Sequence, residues 1–166
     1  CIRDRFLSGQ HIKNTDDAAL ISEVKNFLKY DKNRSISEDK LELLNASLYC
    51  LKDKVKTFSE LIDKAAFIFV NIPIKMSHDA SLNLDEDAIK MLRTLTLHLS
   101  NATWTRDDLE QICNSVSEIS GVKFGKLASP IRAALSGQTK TPSVFDMMLV
   151  LGRDETIARL NSVQGF

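Results

Sequence analysis

Apolar residues recur at three- and four-residue spacing along most of the chain, which is the period of an amphipathic α-helix. One stripe runs from Leu20 through Val24 to Leu28, and a second runs from Leu41 to Leu51. Hydrophobic residues make up 43% of the 166 residues, so these helices can bury a real core. The sequence therefore predicts an all-α fold with no sheet of significance.

Polar residues that can cap a helix stand before several apolar stripes. A side-chain oxygen there accepts a hydrogen bond from a first-turn backbone N–H, and a Glu three residues later can return it. One helix is expected to start at Thr15 or Asp16, and the next at Ser35 or Ser37, where Ser35 and Glu38 have the spacing of a capping box. Two further starts are expected at Thr57 with Glu60 and at Thr105 with Asp108. Trp104, just before the last start, is expected to be a packing anchor.

The helical period lapses across residues 71–83, and a long helix is expected to follow. We place a domain boundary near Ile74, which divides the chain into two small helical domains, residues 1–74 and residues 75–166. Because the chain begins at Cys1 rather than Met, we expect a fragment whose first domain is truncated at its N-terminus.

Composition favours a soluble intracellular protein that does not contact a membrane, and we expect a cytoplasmic monomer. No apolar run approaches the roughly 20 residues that span a bilayer, and the first residues lack the pattern of a signal peptide. Cys1, Cys50 and Cys113 are too far apart for a CxxC metal site, so we expect reduced thiols, the last two packed as apolar groups. The scattered histidines His11, His78 and His98 predict no metal site.

The segment from Gly121 to Gly152 is basic in a chain with 22 basic and 22 acidic side chains. No carboxylate occurs between Glu118 and Asp146, so a local patch can attract a polyanion although the whole chain is neutral. The bases in the segment are Lys123, Lys126, Arg132 and Lys140.

Two helix starts are predicted inside this basic segment. In each, a hydroxyl residue precedes proline, which suits an N-cap and the first helical position; the pairs are Ser129–Pro130 and Thr141–Pro142, with Gly137 and Gly152 as stops. Arg132 would lie in the first turn of one helix and hold a phosphate or guanine edge. Phe145 would offer its ring to an unstacked RNA base. Alternatively, Phe145 is core and Arg132 is merely solvated.

Lys52, Lys54 and Lys56 face a single acid, Asp53, at the junction between two predicted helices. The simplest interpretation is a solvated helix end, where lysines favour the negative end of the helix dipole.

The segment GVKFGKLASPIRAALSGQTKTPSVFDMMLVLGRDETIARL resembles the C-terminal signature of bacterial glutamyl-tRNA synthetases. The similarity extends upstream through Trp104 and through LKDKVKTFSELIDKAAFIF at residues 51–69, and more loosely through residues 11–20. It implies two all-helical domains, forming an anticodon-binding bundle or cage, that bind the anticodon loop of the glutamate tRNA. It also implies that a Rossmann-type catalytic domain, absent here, binds ATP and Mg²⁺ and activates glutamate, so this fragment would contain neither catalytic residues nor a cofactor.

The resemblance also implies which residues contact RNA. Lys54 occupies a position where some members of the family have an arginine that reads the last anticodon base, and lysine keeps the charge but loses the planar fork. Whether the parent enzyme separates glutamate from glutamine tRNA is therefore left open. The remaining implied contacts are Arg132, Thr141, Pro142, Ser143, Val144 and Phe145, with Asn114 and Ser129 near the same surface.

The alternative function is a helical adaptor that binds a protein partner through an apolar groove and has no RNA role. Salt dependence separates the two hypotheses, because only contacts to several phosphates weaken steeply as ionic strength rises.

Overall fold

The computed structural model describes residues 9–31 and 35–164, and the all-α prediction is confirmed because these residues form eleven α-helices, one 3-10 turn and no strand. The chain divides into two compact units, one up to Phe69 and one from Val70 onward. The boundary expected from the sequence lies a few residues further along, near Ile74. No helix in the described part has the length and apolar character needed to cross a membrane.

The first unit is a small helical assembly built on the apolar stripes of residues 20–28 and 41–51. Its elements are α1 (Gly9–Asn14), α2 (Asp17–Asp31), α3 (Glu38–Leu51), η1 (Lys52–Lys54), α4 (Phe58–Lys64) and α5 (Ala66–Phe69). Leu20 and Val24 of α2 are fully buried, as are Leu44 and Leu48 of α3. The apolar stripes seen in the sequence therefore form the core of this unit.

Capping in the first unit is partly as predicted. Thr57 Oγ1 accepts a hydrogen bond from the Glu60 N–H at 3.1 Å, which confirms the cap of α4. The predicted box from Ser35 to Glu38 is wrong, because Ser37 is the N-cap of α3 and Glu38 is already the first helical residue. The Glu38 carboxylate instead accepts a hydrogen bond from Lys25 Nζ at 2.9 Å.

Within residues 70–164, the second unit contains six helices and carries the basic segment. They are α6 (His78–Ser81), α7 (Glu86–Leu99), α8 (Arg106–Ile119), α9 (Phe124–Ser136), α10 (Val144–Leu151) and α11 (Arg153–Ser162). Thr105 caps α8 by accepting from the Asp108 N–H at 3.4 Å, as predicted. The indole Nε1–H of Trp104 donates to the Met148 carbonyl at 3.1 Å, so Trp104 anchors the start of α8 to α10.

The helix start predicted at Ser129–Pro130 is wrong. One helix, α9, runs from Phe124 to Ser136 with Pro130 inside it. Leu127 and Ile131, on either side of Pro130, are fully buried, and this continuous apolar face keeps the segment helical although Pro130 cannot donate to the Lys126 carbonyl.

The start predicted at Thr141–Pro142 is wrong too, because α10 begins at Val144 after Ser143. Thr141 makes a local hydrogen bond instead, donating from Oγ1 to the Pro142 carbonyl at 2.9 Å. Both predicted stops end a helix: Gly137 is left-handed with φ 72° and ψ 10°, and Gly152 has φ 82°.

Cys50 and Cys113 are buried in the two units, as predicted, whereas Cys1 lies outside the described residues. The pKa of the Cys113 thiol is raised to about 12, mainly because the thiol is buried. Cys113 therefore stays protonated at neutral pH and behaves as a small apolar group.

Candidate nucleic-acid interface

The basic segment retains its uncompensated charge in the folded chain. Lys123, Lys126 and Lys140 are exposed and Arg132 is half-buried. None of the four forms an ion pair with a carboxylate of residues 9–31 or 35–164. This part of the second unit can therefore attract a polyanion, as the sequence predicted.

Asp146, the acid that ends the basic segment, does not neutralise it. The Asp146 side chain is only 7% exposed, and its Oδ1 accepts a hydrogen bond from Arg106 Nη1 at 2.6 Å. This hydrogen bond is the largest cause that raises the pKa of the Arg106 guanidinium. Arg106 Nε also donates to Glu110 at 3.0 Å, so two carboxylates fix the plane of the Arg106 guanidinium and more than offset its single positive charge.

An aromatic pair joins the starts of α9 and α10. The rings of Phe124 and Phe145 are stacked, with centroids 5.4 Å apart and planes 12° from parallel. The Arg106 guanidinium lies over the Phe145 ring, 5.8 Å from its centroid. We call these three side chains the aromatic cluster; they come from the first or second residue of α8, α9 and α10.

The helix starts that meet are not the predicted ones at Ser129–Pro130 and Thr141–Pro142. They are those of α9 at Phe124 and α10 at Val144, since the stacked rings occupy their first turns. Their N-cap residues, Lys123 and Ser143, make no side-chain capping hydrogen bond. The first-turn N–H groups of both helices are therefore not satisfied by an N-cap side chain.

Arg132 is not in a first turn, contrary to the prediction. It lies eight residues after Phe124 in α9, which is about 12 Å further along the helix axis. Its backbone carbonyl accepts a hydrogen bond from Ser136 Oγ at 2.8 Å. Arg132 can still contact RNA with its guanidinium, but without the field of a helix N-terminus.

The segment from Thr141 to Phe145 contains side chains of unequal availability. Thr141, Pro142, Ser143 and Phe145 are half-buried, whereas Val144 is only 1% exposed. The Val144 side chain therefore packs in the core, and the part of Val144 suited to RNA contact is its backbone.

Ser129 and Asn114 lie apart from the aromatic cluster. Ser129 faces a cleft of about 480 Å³, together with Lys126 of α9 and with Asp85 and Asp87 at the start of α7. Asn114 is exposed on α8, eight residues after Arg106 and so about 12 Å along its axis.

Two lysines of the first unit's junction, Lys52 and Lys54, have different roles. Lys52 is committed to structure, because its Nζ donates to the Thr15 carbonyl at 2.5 Å and to Asp17 at 2.7 Å. Lys54, in η1, is exposed and forms no ion pair with a described residue. Asp53, the only acid of the junction, pairs with Lys13 instead, because Asp53 Oδ1 lies 3.6 Å from Lys13 Nζ. The Lys54 ammonium is therefore available to an anion.

Comparison with known proteins identifies the family. Residues 19–164 match the anticodon binding domain family. The chain belongs to this family.

The relatives of this anticodon-binding domain are much longer proteins. Glutamate–tRNA ligase 2 of Ruegeria pomeroyi is 49% identical over 93% of this chain and 33% of its own length. Glutamate–tRNA ligase 1 of Jannaschia sp. is 45% identical over 93% of this chain and 33% of its own length. The chain thus spans about a third of the length of the curated relatives it matches.

Solved structures resemble the anticodon-binding domain in fold. A glutamate tRNA ligase from Elizabethkingia meningosepticum, crystallised in complex with its amino acid, superposes with a TM-score of 0.76. It is 23% identical, and the match covers 95% of this chain and 31% of that chain. A glutamate–tRNA synthetase from Elizabethkingia anophelis gives a TM-score of 0.72.

Phe124 and Arg106 are the members of the aromatic cluster that sequence reasoning missed. They are 21 and 39 residues from Phe145 in sequence, so only the packing of three helices brings them together. A local signal existed for Arg106, which follows the Thr105 cap directly, but it did not indicate a ring as partner. In this domain the basic residues were visible in the sequence and the aromatic contacts were not.

Proposed function

We propose that this anticodon-binding domain binds the anticodon loop of the glutamate tRNA and reads its bases. The observation that carries the proposal is the set of cations between Glu118 and Asp146 that no described carboxylate neutralises, in a domain of this family. Lysine and arginine side chains hold the phosphates, and base edges are read by hydrogen bonds. Specificity then depends on a few contacts within a largely electrostatic interface.

The protein containing this domain acts as a glutamate–tRNA ligase, which joins glutamate to its tRNA using ATP. This role is supported by the identity to the ligases of Ruegeria and Jannaschia. ATP and Mg²⁺ would bind to the catalytic domain of that protein, which is also the domain's partner within the chain. The domain itself contributes tRNA binding, and the protein works as a cytoplasmic monomer.

Arg132 and Lys54 are the proposed reading residues, one in each unit. The Arg132 guanidinium can donate two parallel hydrogen bonds to a phosphate or a guanine edge. Lys54 is suited to the last anticodon base, because its exposed ammonium has no described carboxylate partner. A point charge selects angles less strictly than a guanidinium, so Lys54 favours, rather than enforces, the glutamate anticodon. Thr141, Pro142, Ser143, the Val144 backbone and Phe145 would line the loop, with Asn114 and Ser129 at its margin.

The direct test is binding of the chain to anticodon stem-loops for glutamate, glutamine and aspartate at two salt concentrations. With three or four phosphate contacts, affinity should fall about 20- to 50-fold between about 50 and 200 mM salt. Equal affinity for all three stem-loops would contradict base reading. Binding that ignores salt would contradict an interface made by these cations and favour an apolar protein partner instead.

Two variants test the assigned residues. Arg132→Ala should weaken cognate binding by about 1 to 3 kcal/mol, the usual cost of losing a bidentate contact. The matched control is Arg93→Ala, because Arg93 is an exposed arginine on α7, outside the basic segment in sequence, and donates to the Gln164 carbonyl at 3.3 Å. Lys54→Gln should change the ratio of affinities for the glutamate and glutamine stem-loops. An unchanged ratio would refute the reading role of Lys54.

A further inference from the structure

The aromatic cluster places a partly exposed ring at the end of a short stack. Phe145 contacts the Phe124 ring and also lies beneath the Arg106 guanidinium. Phe124 is stacked on Phe145 by one face and is half-buried, so part of its ring stays exposed to water. The exposed part of the Phe124 ring can therefore contact a further planar group.

The charge beside Phe124 indicates the kind of planar group. Lys123 directly precedes Phe124 and is exposed without a described carboxylate partner. A ring beside a free cation suits single-stranded nucleic acid, in which a base stacks on the ring while an adjoining phosphate meets the cation. An apolar peptide would use the ring but not the ammonium group.

Arg106 contributes its plane rather than its charge. Asp146 and Glu110 offset the charge of the guanidinium, because they accept hydrogen bonds from it at 2.6 and 3.0 Å. These two hydrogen bonds hold the guanidinium over Phe145. Guanidinium planes and aromatic rings are the two surfaces on which unstacked RNA bases commonly pack. The Arg106–Phe145 contact thus fixes the orientation of the ring that supports Phe124.

We propose that Phe124, supported by Phe145 and Arg106, is a stacking site for one unpaired base of single-stranded RNA. The proposal rests on the proposed function, because it assumes that the domain binds an anticodon loop. It adds a contact that reads no sequence. The site recognises the π-face of a base and gives affinity, while specificity comes from hydrogen bonds elsewhere.

The test uses glutamate anticodon stem-loops carrying 2-aminopurine at one loop position at a time. Stacking on an aromatic ring quenches this fluorophore, so the chain should quench one position more than the others. Phe124→Leu should abolish that quenching and weaken binding roughly tenfold. Phe124→Tyr keeps the ring and should retain both. Tyr49→Leu is the matched control, because Tyr49 is a 60% exposed aromatic residue on α3.

The outcomes separate this proposal from the proposed function. If the unmodified chain binds the stem-loop but Phe124→Leu leaves quenching and affinity unchanged, the stacking site is refuted and anticodon binding stands. The same conclusion follows if binding occurs and no position is quenched. If the unmodified chain binds no stem-loop even at low salt, both proposals fail. Circular dichroism of Phe124→Leu confirms that lost binding is not lost folding.

Discussion

Gly137 ends α9 in a position where a side chain meets two obstacles. Its φ of 72° is in the left-handed region, which costs an L-residue about 1–2 kcal/mol. A Cβ built on Gly137 would also lie 2.3 Å from the carbonyl oxygen of Lys75. That oxygen belongs to the backbone and cannot rotate away, so the chain must shift by about 1 Å, an overpacking that costs about 1–3 kcal/mol more. Gly137→Ala should therefore lower the free energy of unfolding by about 2–5 kcal/mol.

Two other glycines of the same unit separate these contributions. Gly121 has φ 67° but no atom within 4 Å of a built Cβ, so Gly121→Ala should cost only the backbone strain of about 1–2 kcal/mol. Gly125 lies in the first turn of α9 with nothing within 4 Å of its Cβ. Gly125→Ala should be neutral or stabilising by up to about 1 kcal/mol, because alanine is the better helix former.

Urea unfolding followed by tryptophan fluorescence measures this series. Trp104 is the single tryptophan and lies in the same unit as all three glycines, so its emission reports that unit. Each variant is compared with the unmodified chain at one temperature and pH. Equal losses for Gly137→Ala and Gly121→Ala would refute the steric argument at Lys75. A loss of several kcal/mol from Gly125→Ala would refute the conformational argument as a whole.

Three further changes have outcomes set by single contacts. Arg106→Ala should destabilise the second unit by roughly 2 kcal/mol, because the buried Asp146 carboxylate loses its hydrogen bond from Arg106; the usual cost is reduced since Arg106 is nearly half exposed. Adding Asp146→Asn should recover part of the loss, and the absence of any recovery would contradict this reasoning. Because the pKa of Cys113 is raised from 9.0 to about 12, its thiol ionises first in the unfolded chain, so stability should fall between these pH values. The fall should be up to about 1.4 kcal/mol per pH unit, and a pH series of Cys113→Ala that matches the unmodified chain would rule it out. Thr57→Ala removes the acceptor of the Glu60 N–H and should cost about 1 kcal/mol in thermal unfolding followed by circular dichroism, so an unchanged midpoint would show that the cap contributes little.

The helices were predictable where a local rule and burial agree. Thr57 and Thr105 cap helices as expected because their side chains satisfy backbone donors within the same first turn, which needs no distant partner. Ser129–Pro130 looks equally convincing locally and is wrong. There the buried face through Leu127 and Ile131 stabilises a continuous helix by more than the one hydrogen bond that proline removes.

The candidate site was predictable in its charge and not in its shape. Charge depends only on which residues are present, so the acid-free segment was visible before any fold was known. The aromatic cluster depends on three helices meeting, and no spacing in the sequence connects Arg106, Phe124 and Phe145. Packing also changes what the charges do, since Arg106 is balanced by two carboxylates that are four and forty residues away.

The pairing of Asp146 with Arg106 changes how the basic segment acts on a polyanion. Without Arg106, the Asp146 carboxylate would face the start of α10 and reduce the attraction of that helix end for phosphate. The ion pair removes this repulsion while keeping Asp146 in the first turn, where its charge favours the helix. Arg106 therefore supports RNA binding without itself supplying a free positive charge. It follows that Arg106→Ala should weaken RNA binding but leave unchanged the slope of log affinity against log salt concentration. Lys123→Ala should reduce the steepness of that slope by about 0.7. A reduced slope for Arg106→Ala would show that the charge of Arg106 is free to meet a phosphate.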